Sequence, residues 1–370
     1  MKGLDLSERF YWEVVSPVIT AALPQLVSRC AAGLIGFGSD VLGHDDEQSR
    51  DHEWGARCIL WLAPEDYAAY ADVLDSMLDQ QVPSTFYGFP ARFRRHPIGY
   101  FVPAGDEQHG VHHVGLTTVQ RFLQFNPGMQ GEQLEPLDWL CIPEQKLLEV
   151  TRGRIFHDPV GDITRIRERL AYLPEDIWIF KLLYAWQALD VNADNIRLCA
   201  SRGDTLSARL AYQRTVEVVI RLVFLLNRAY CPGTVKWVSR EFFALPHASE
   251  RVGTLIERGY SASLDEAAAN IESIYEILVQ EFNRLGMTET VELTAPSSVR
   301  GHFRWSSSAV VQALADRLSP ELRELEWGGG IDQWVTNEDI LIWANQYTKL
   351  KPVFSAQSKE IRDQIGDWLI

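Results

Sequence analysis

The segment GDTLSARLAYQRTVEVVIRLVFLLNRAY, residues 203–230, is apolar nearly all round toward its end. A helix without a polar face has to sit inside a bundle of other helices. It stops at Cys231-Pro232-Gly233, where proline and glycine break the pattern. Its neighbours read as helices too. GDITRIRERLAYL stops before Pro174 and EDIWIFKLLYAWQAL follows. Ser263 and Glu266 form a capping box. Ile271, Ile274, Tyr275, Leu278, Phe282 and Leu285 then mark one helical face, closed by Gly286. Further helices are expected near 308–318, 337–350 and 357–368.

Before about Arg154 the texture differs. Residues 6–22 read as a helix ended by Pro24. CAAGLIGFG is a short apolar run entering a glycine turn, and ARCILWL, residues 56–62, is a second such run. Both read as buried strands. PEDYAAYADVLDSMLDQ is a helix with proline and two acids at its start. GVHHVGLTTV, residues 110–119, reads as a third strand, and FYGFPARFRRHPIGYF holds too much proline and glycine for one element. The expected fold class is α+β: a small mixed-sheet head over 1–154 and a helical body over 155–370. A chain of 370 residues is long for a single core, which agrees with two domains.

The formal charge of −15 disfavours clamping bare nucleic acid by counterion release. Five dispersed cysteines without a CxxC argue against a disulfide framework and a structural zinc site. The amphipathic start has no signal-peptide pattern, and the longest apolar block, Val216–Leu226, is broken by Glu217 and Arg221. A cytoplasmic location is expected.

The chemistry concentrates in IGFGSDVLGHDDEQSRDHEWG, Ile35 to Gly55. Six carboxylates (Asp40, Asp45, Asp46, Glu47, Asp51, Glu53) and two histidines (His44, His52) follow a glycine turn. Gly36, Gly38 and Ser39 suit a tight turn with backbone N–H groups on offer. Asp51 and Glu53 precede an apolar strand, and on a strand residues two apart share a face. Two like charges side by side call for a cation between them or for full exposure. Zinc would want three ligands, mostly histidine, on rigid elements. Carboxylate oxygens instead favour magnesium or manganese. Asp40, Asp45 and Asp46 read as mainly loop-shaping, with one of them left as a residue that could line a site.

Gly38-Ser39, a gap of eleven residues and Asp51-His52-Glu53 resemble the signature of the polymerase-β-like nucleotidyltransferase superfamily. With RIFHDPVGDITRIRERLAYLPEDIW, GTVKWVSREF and GGIDQWVTNEDIL, the chain looks like a bacterial branch of that superfamily, a domain of unknown function related to the antibiotic nucleotidyltransferases. The resemblance runs from about Leu6 to Leu341. It implies that Gly38 and Ser39 hold a triphosphate and that Asp51 and Glu53 hold magnesium, with manganese an alternative. An acceptor hydroxyl would attack the α-phosphate and release pyrophosphate. It further implies a basic residue from the helical body at the triphosphate, for which Lys236 is the first choice; Arg57 would pair with Glu53 or reach a phosphate. The expected function is transfer of a nucleoside monophosphate, AMP by preference, to a small-molecule hydroxyl, with no membrane and no nucleic acid as partner. Alternatives are a catalytically impaired nucleotide-binding regulator, and transfer to a protein side chain or an RNA end.

One feature departs from the superfamily pattern. A third carboxylate belongs on the third strand, and near Gly115 there is none. His113 is a candidate substitute, while Asp138 reads as structural. Arg92, Arg94 and Arg95, interleaved with aromatics, read as a solvated loop or a stacking surface. Gly328-Gly329-Gly330 reads as a flexible loop.

Overall fold

A computed structural model describes residues 1–97, 99–105, 110–295, 303–325 and 328–354. The helix expected near 357–368 lies outside the described residues. The architecture is α+β, an N-terminal mixed sheet followed by a largely helical region. The chain divides into two compact units. One comprises residues 1–133 and 146–171, the other 134–145 and 172–370.

In the first unit, helices α1 (Gly3–Phe10) and α2 (Ser16–Ala22) flank one π-helical turn, and Pro24 opens a short 3-10 turn. Strands β1 (Ala31–Leu34) and β2 (Cys58–Trp61) follow, then α3 (Pro64–Gln81) with Pro64 in its first turn. Short strands β3 (Thr85–Phe86), β4 (Phe89–Pro90), β5 (Arg92–Arg95), β6 (Phe101–Pro103) and β7 (Val111–His112) lead to β8 (Val114–Thr117). Helix α4 (Val119–Phe125) comes next. Helix α5 (Pro136–Cys141) falls in the other unit, and α6 (Glu144–Thr151) from Lys146 onward, β9 (Arg154–His157) and α7 (Asp162–Arg169) complete this one.

The main sheet has the order β8-β2-β1-β9. β1 is antiparallel to both neighbours, and β2 runs parallel to β8 with Ile59 opposite Gly115. Phe10, Val15, Leu26, Ala32, Leu34, Leu60, Leu74 and Leu78 are buried in a core that joins one sheet face to α1, α2 and α3. β5, β6 and β7 form a second antiparallel sheet.

The third strand therefore differs from the expectation. VHHV serves two sheets: β7 pairs with β5, β8 pairs with β2, and His113 sits at the break between them. Both pairings satisfy backbone groups, so one continuous-looking run divides. The arginine run became β5. Arg92 bonds Asp79 and Val82 O, while Arg94 and Arg95 are exposed.

In the second unit, α8 (Glu175–Ser201) packs along α9 (Thr205–Leu226). α10 (Val235–Phe243), α11 (Ser249–Ser261) and α12 (Leu264–Arg284) surround them. The all-round apolar end of α9 is buried from Leu222 to Leu226, as a bundle interior requires. Ser263 and Glu266 make the capping box, and Gly286 takes a left-handed φ of 61°. The region expected as one helix over 337–350 is broken into Glu338–Ile342, Ala344–Tyr347 and a 3-10 stretch. Among the described residues, no helix is long and apolar enough to cross a membrane.

Gly328-Gly329-Gly330 is a packing feature rather than a loose loop. A Cβ on Gly328 would lie 3.0 Å from Tyr184 Cδ2, and one on Gly330 would lie 2.9 Å from Lys181 Nζ. Gly329 has φ of 85°, where a side chain is strained regardless of space.

Candidate active site

The loop from β1 to β2 carries the acidic motif. Most of its carboxylates are spoken for. Asp40 is fully buried, and its Oδ1 accepts from Arg57 Nη2 at 2.6 Å and from the Val41 N–H at 2.9 Å. Arg57 Nη2 also donates to Phe37 O at 3.0 Å. Asp45 Oδ2 accepts from the Gly3 N–H at 2.8 Å and from Trp54 Nε1 at 3.2 Å, and Lys2 Nζ lies 3.1 Å from Oδ1. Burial alone would raise the Asp45 pKa, but these donors hold it below its usual 3.8. Asp46 Oδ1 accepts from the N–H groups of Gln48 and Ser49, both at 3.0 Å. The loop-shaping role expected of these three aspartates is what the hydrogen bonds describe.

Gly38, four residues past the end of β1, has φ of 141°. A Cβ there would overlap Arg57 Nη2 and Asp40 Oδ1, so only glycine lets the turn close on this ion pair. Ser39 follows at the start of the turn, and its carbonyl accepts from the His44 N–H at 2.8 Å. The Gly36 N–H donates to Glu149 O at 2.8 Å, which ties the turn to α6.

Asp51 and Glu53 do not sit on a strand face. β2 begins at Cys58, and residues 51–53 form a bend. Glu53 has φ of 49°, so the two-residue alternation that would align both carboxylates is broken. Asp51 is 67% exposed and lies 2.9 Å from His52 Nδ1. Burial would raise its pKa, but the His52 contact brings it below the usual value. Exposure is how the like charge at Asp51 is accommodated.

Glu53 is held from three sides and is 15% exposed. Its N–H donates to Phe101 O at 2.8 Å, and its Oε1 accepts from the Phe101 N–H at 2.8 Å. Its Oε2 lies 3.5 Å from His113 Nε2 and 4.0 Å from Arg57 Nη1. The pairing expected between Arg57 and Glu53 is thus a loose contact, because Asp40 takes the guanidinium. Arg57 still links the two halves of the motif, touching the Gly38 turn on one side and facing Glu53 on the other.

His113 is the residue beside the missing third carboxylate. Its ring packs on Phe101 at 4.4 Å and on Phe93 at 5.0 Å. Burial, with the Arg57 charge adding to it, pushes its pKa down to about 3. The imidazole is neutral, and its Nε2 lies on the Glu53 side. No sequence pattern pointed to Phe101 as the second anchor of Glu53; it comes from a different sheet.

Among the described residues, no group of three or more His, Cys, Asp or Glu is placed to hold a metal. Two hard oxygen donors are present. Carboxylate oxygen suits magnesium in kind, but the bend leaves Asp51 paired with His52 and Glu53 bonded to Phe101, with no shared strand face. Among the described residues, neither His44 nor His52 joins such a group.

Lys236 belongs to the helical unit, in the first turn of α10, exposed and 5.2 Å above the Trp237 ring. In the same unit a buried charge cluster forms that the sequence reading did not single out. Lys181, 1% exposed, lies 2.5 Å from Glu144 Oε1 and 3.0 Å from Asp332 Oδ1. Asp138, for its part, caps α5 and pairs with Lys351 at 2.6 Å.

No curated protein matches the chain. Among solved structures, the crystal structure of a nucleotidyltransferase-like protein from Exiguobacterium sibiricum is similar at 13% identity, over 81% of this chain and 88% of that one, with a TM-score of 0.35. The family comparison covers parts of both units, from the end of α5 through α6, β9 and α7 to α8, α9 and the start of α10, and takes in Glu144, Lys181, Arg221 and Lys236. Residues 139–238 match the model of DUF4037, a domain of unknown function.

Proposed function

We propose that the chain is a nucleotidyltransferase that moves a nucleoside monophosphate from a triphosphate to a hydroxyl of a small-molecule acceptor. The observation that carries this reading is Glu53. A non-glycine residue is held at a left-handed φ of 49°, with its carboxylate fixed by Phe101 and facing Arg57 and His113, next to a glycine turn. Backbone strain kept in place by surrounding bonds is typical of functional positions. The GS-to-DxE spacing supports the same reading.

In this proposal Gly38 and Ser39 offer the turn to the phosphates. Arg57 acts by holding that turn through Asp40, and Lys236 is the candidate cation of the helical unit. Asp51 and Glu53 would hold magnesium, or manganese, which neutralises triphosphate charge. Phe101 and His113 orient the Glu53 carboxylate. The acceptor oxygen bonds to the α-phosphorus, the bond to the pyrophosphate oxygen breaks, and the hydroxyl proton passes to solvent.

The test is titration with a triphosphate and magnesium, followed by pyrophosphate release with a panel of hydroxyl acceptors. Magnesium-dependent triphosphate binding that is lost in Asp51→Asn and Glu53→Gln is the expected result. Binding that ignores magnesium, or that survives both substitutions, would overturn the reading. A second reading, a nucleotide-binding regulator without turnover, is favoured by Gly115 standing where a third carboxylate belongs. It predicts the same binding with no pyrophosphate released for any acceptor.

A further inference from the structure

The helical unit contains a cavity of about 890 Å³, within the range of small-molecule sites. Its walls come from α9, α10, α11 and the segment around Asp332, with Val216, Ile220, Phe242, Ile256 and Leu341 facing it. Arg221 and Asp332 also line it.

Arg221 is the unusual member. Of the carboxylates that act on it, Glu217 is exposed one turn earlier on α9, and Glu144 and Asp332 already accept from other donors. Glu144 Oε1 and Asp332 Oδ1 accept from Lys181. Glu144 Oε2 accepts from the Cys231 N–H at 2.7 Å, and Asp332 Oδ2 from the Glu144 N–H at 3.2 Å. Arg221 Nη1 stands 3.6 Å from Asp332 Oδ2, outside hydrogen-bond reach. Two cations and two carboxylates balance in charge, so Arg221 is needed for neutrality. Its donors are nevertheless unused by any described residue. A guanidinium carries five N–H donors and stays charged, so its planar fork can take an oxyanion. With 23% of its side chain exposed, Arg221 turns part of itself to the cavity.

The exposed rim holds Glu217, Glu257, Glu338 and Arg214. Those side chains are exposed to solvent, and Glu217 still acts on Arg221 from one helical turn away. Arg221 lies on the apolar wall, where a paired oxyanion gains more.

We propose that this cavity binds a small carboxylate with an apolar body, its two oxygens forked on the Arg221 guanidinium. The site lies within the helical unit and does not depend on the nucleotidyltransferase reading. Octanoate, octan-1-ol and octylamine serve as probes, read by calorimetry and by the thermal unfolding midpoint of the full chain. Octanoate is expected to bind roughly tenfold more tightly than the alcohol, the worth of a charge-assisted hydrogen bond. Arg221→Lys keeps the charge and the cluster but loses the fork, and should bring octanoate close to the alcohol. Val235→Trp, at an exposed position on the cavity edge, should weaken all binding without touching the cluster. Octanol or octylamine binding as tightly as octanoate, no binding by any probe, or octanoate binding unchanged in either variant would overturn the proposal.

Discussion

At Gly38 three requirements meet in one residue: a backbone φ of 141°, contact with Arg57, and contact with Asp40. Gly38→Ala should destabilise the protein by about 2–4 kcal/mol, through backbone strain and displacement of a buried ion pair. Urea unfolding of the variant checks it. Asp45 allows a prediction with a defined pH window. Its pKa is lowered in the folded protein, so its contribution is fully present above the unfolded value near 3.8. That contribution disappears as pH falls through the lower folded value. Asp45→Asn should therefore be less stable than wild type at pH 7, with the gap closing below about pH 4. Denaturant midpoints measured across that range would show it.

At the scale of elements, local chemistry marks several boundaries. Ser263 accepts from the Glu266 N–H, and Glu266 reaches back to the Ser263 N–H at 3.0 Å. Ser263→Ala should cost about 1 kcal/mol, readable as a lower unfolding midpoint with α12 intact by circular dichroism. β8 followed no such local rule. Its run of β-branched residues reads as one strand, yet it breaks at His113 because β7 has a partner in another sheet. The four-residue β9 likewise has nothing to mark it except its antiparallel pairing with β1. Short strands are selected by what they pair with, and the partner is remote in sequence.

Across the whole molecule, the buried cluster joins residues 144, 181, 221 and 332, which no window of sequence contains together. Lys181→Met leaves Glu144 and Asp332 without their hydrogen-bonding cation, and should cost about 3–5 kcal/mol. Adding Glu144→Gln restores charge balance and should recover part of the loss, which chemical denaturation of both variants would test. The sequence by itself determined the division into a mixed-sheet region and a helical region. It also marked β1, β2, α3, the interior end of α9 and the acidic loop with its glycine turn. These rest on periodicity, on capping residues and on glycine, all of which act within a few positions. The tertiary structure alone decided that Asp40 and Asp45 are buried supports, that Asp51 is exposed, and that Glu53 is turned by a positive φ onto Phe101 and His113. It also decided that Arg57 belongs to Asp40 and that Arg221 faces a cavity. The physical reason is that a charged side chain takes its role from the groups that desolvate and bond it, and those groups come from elements far away along the chain.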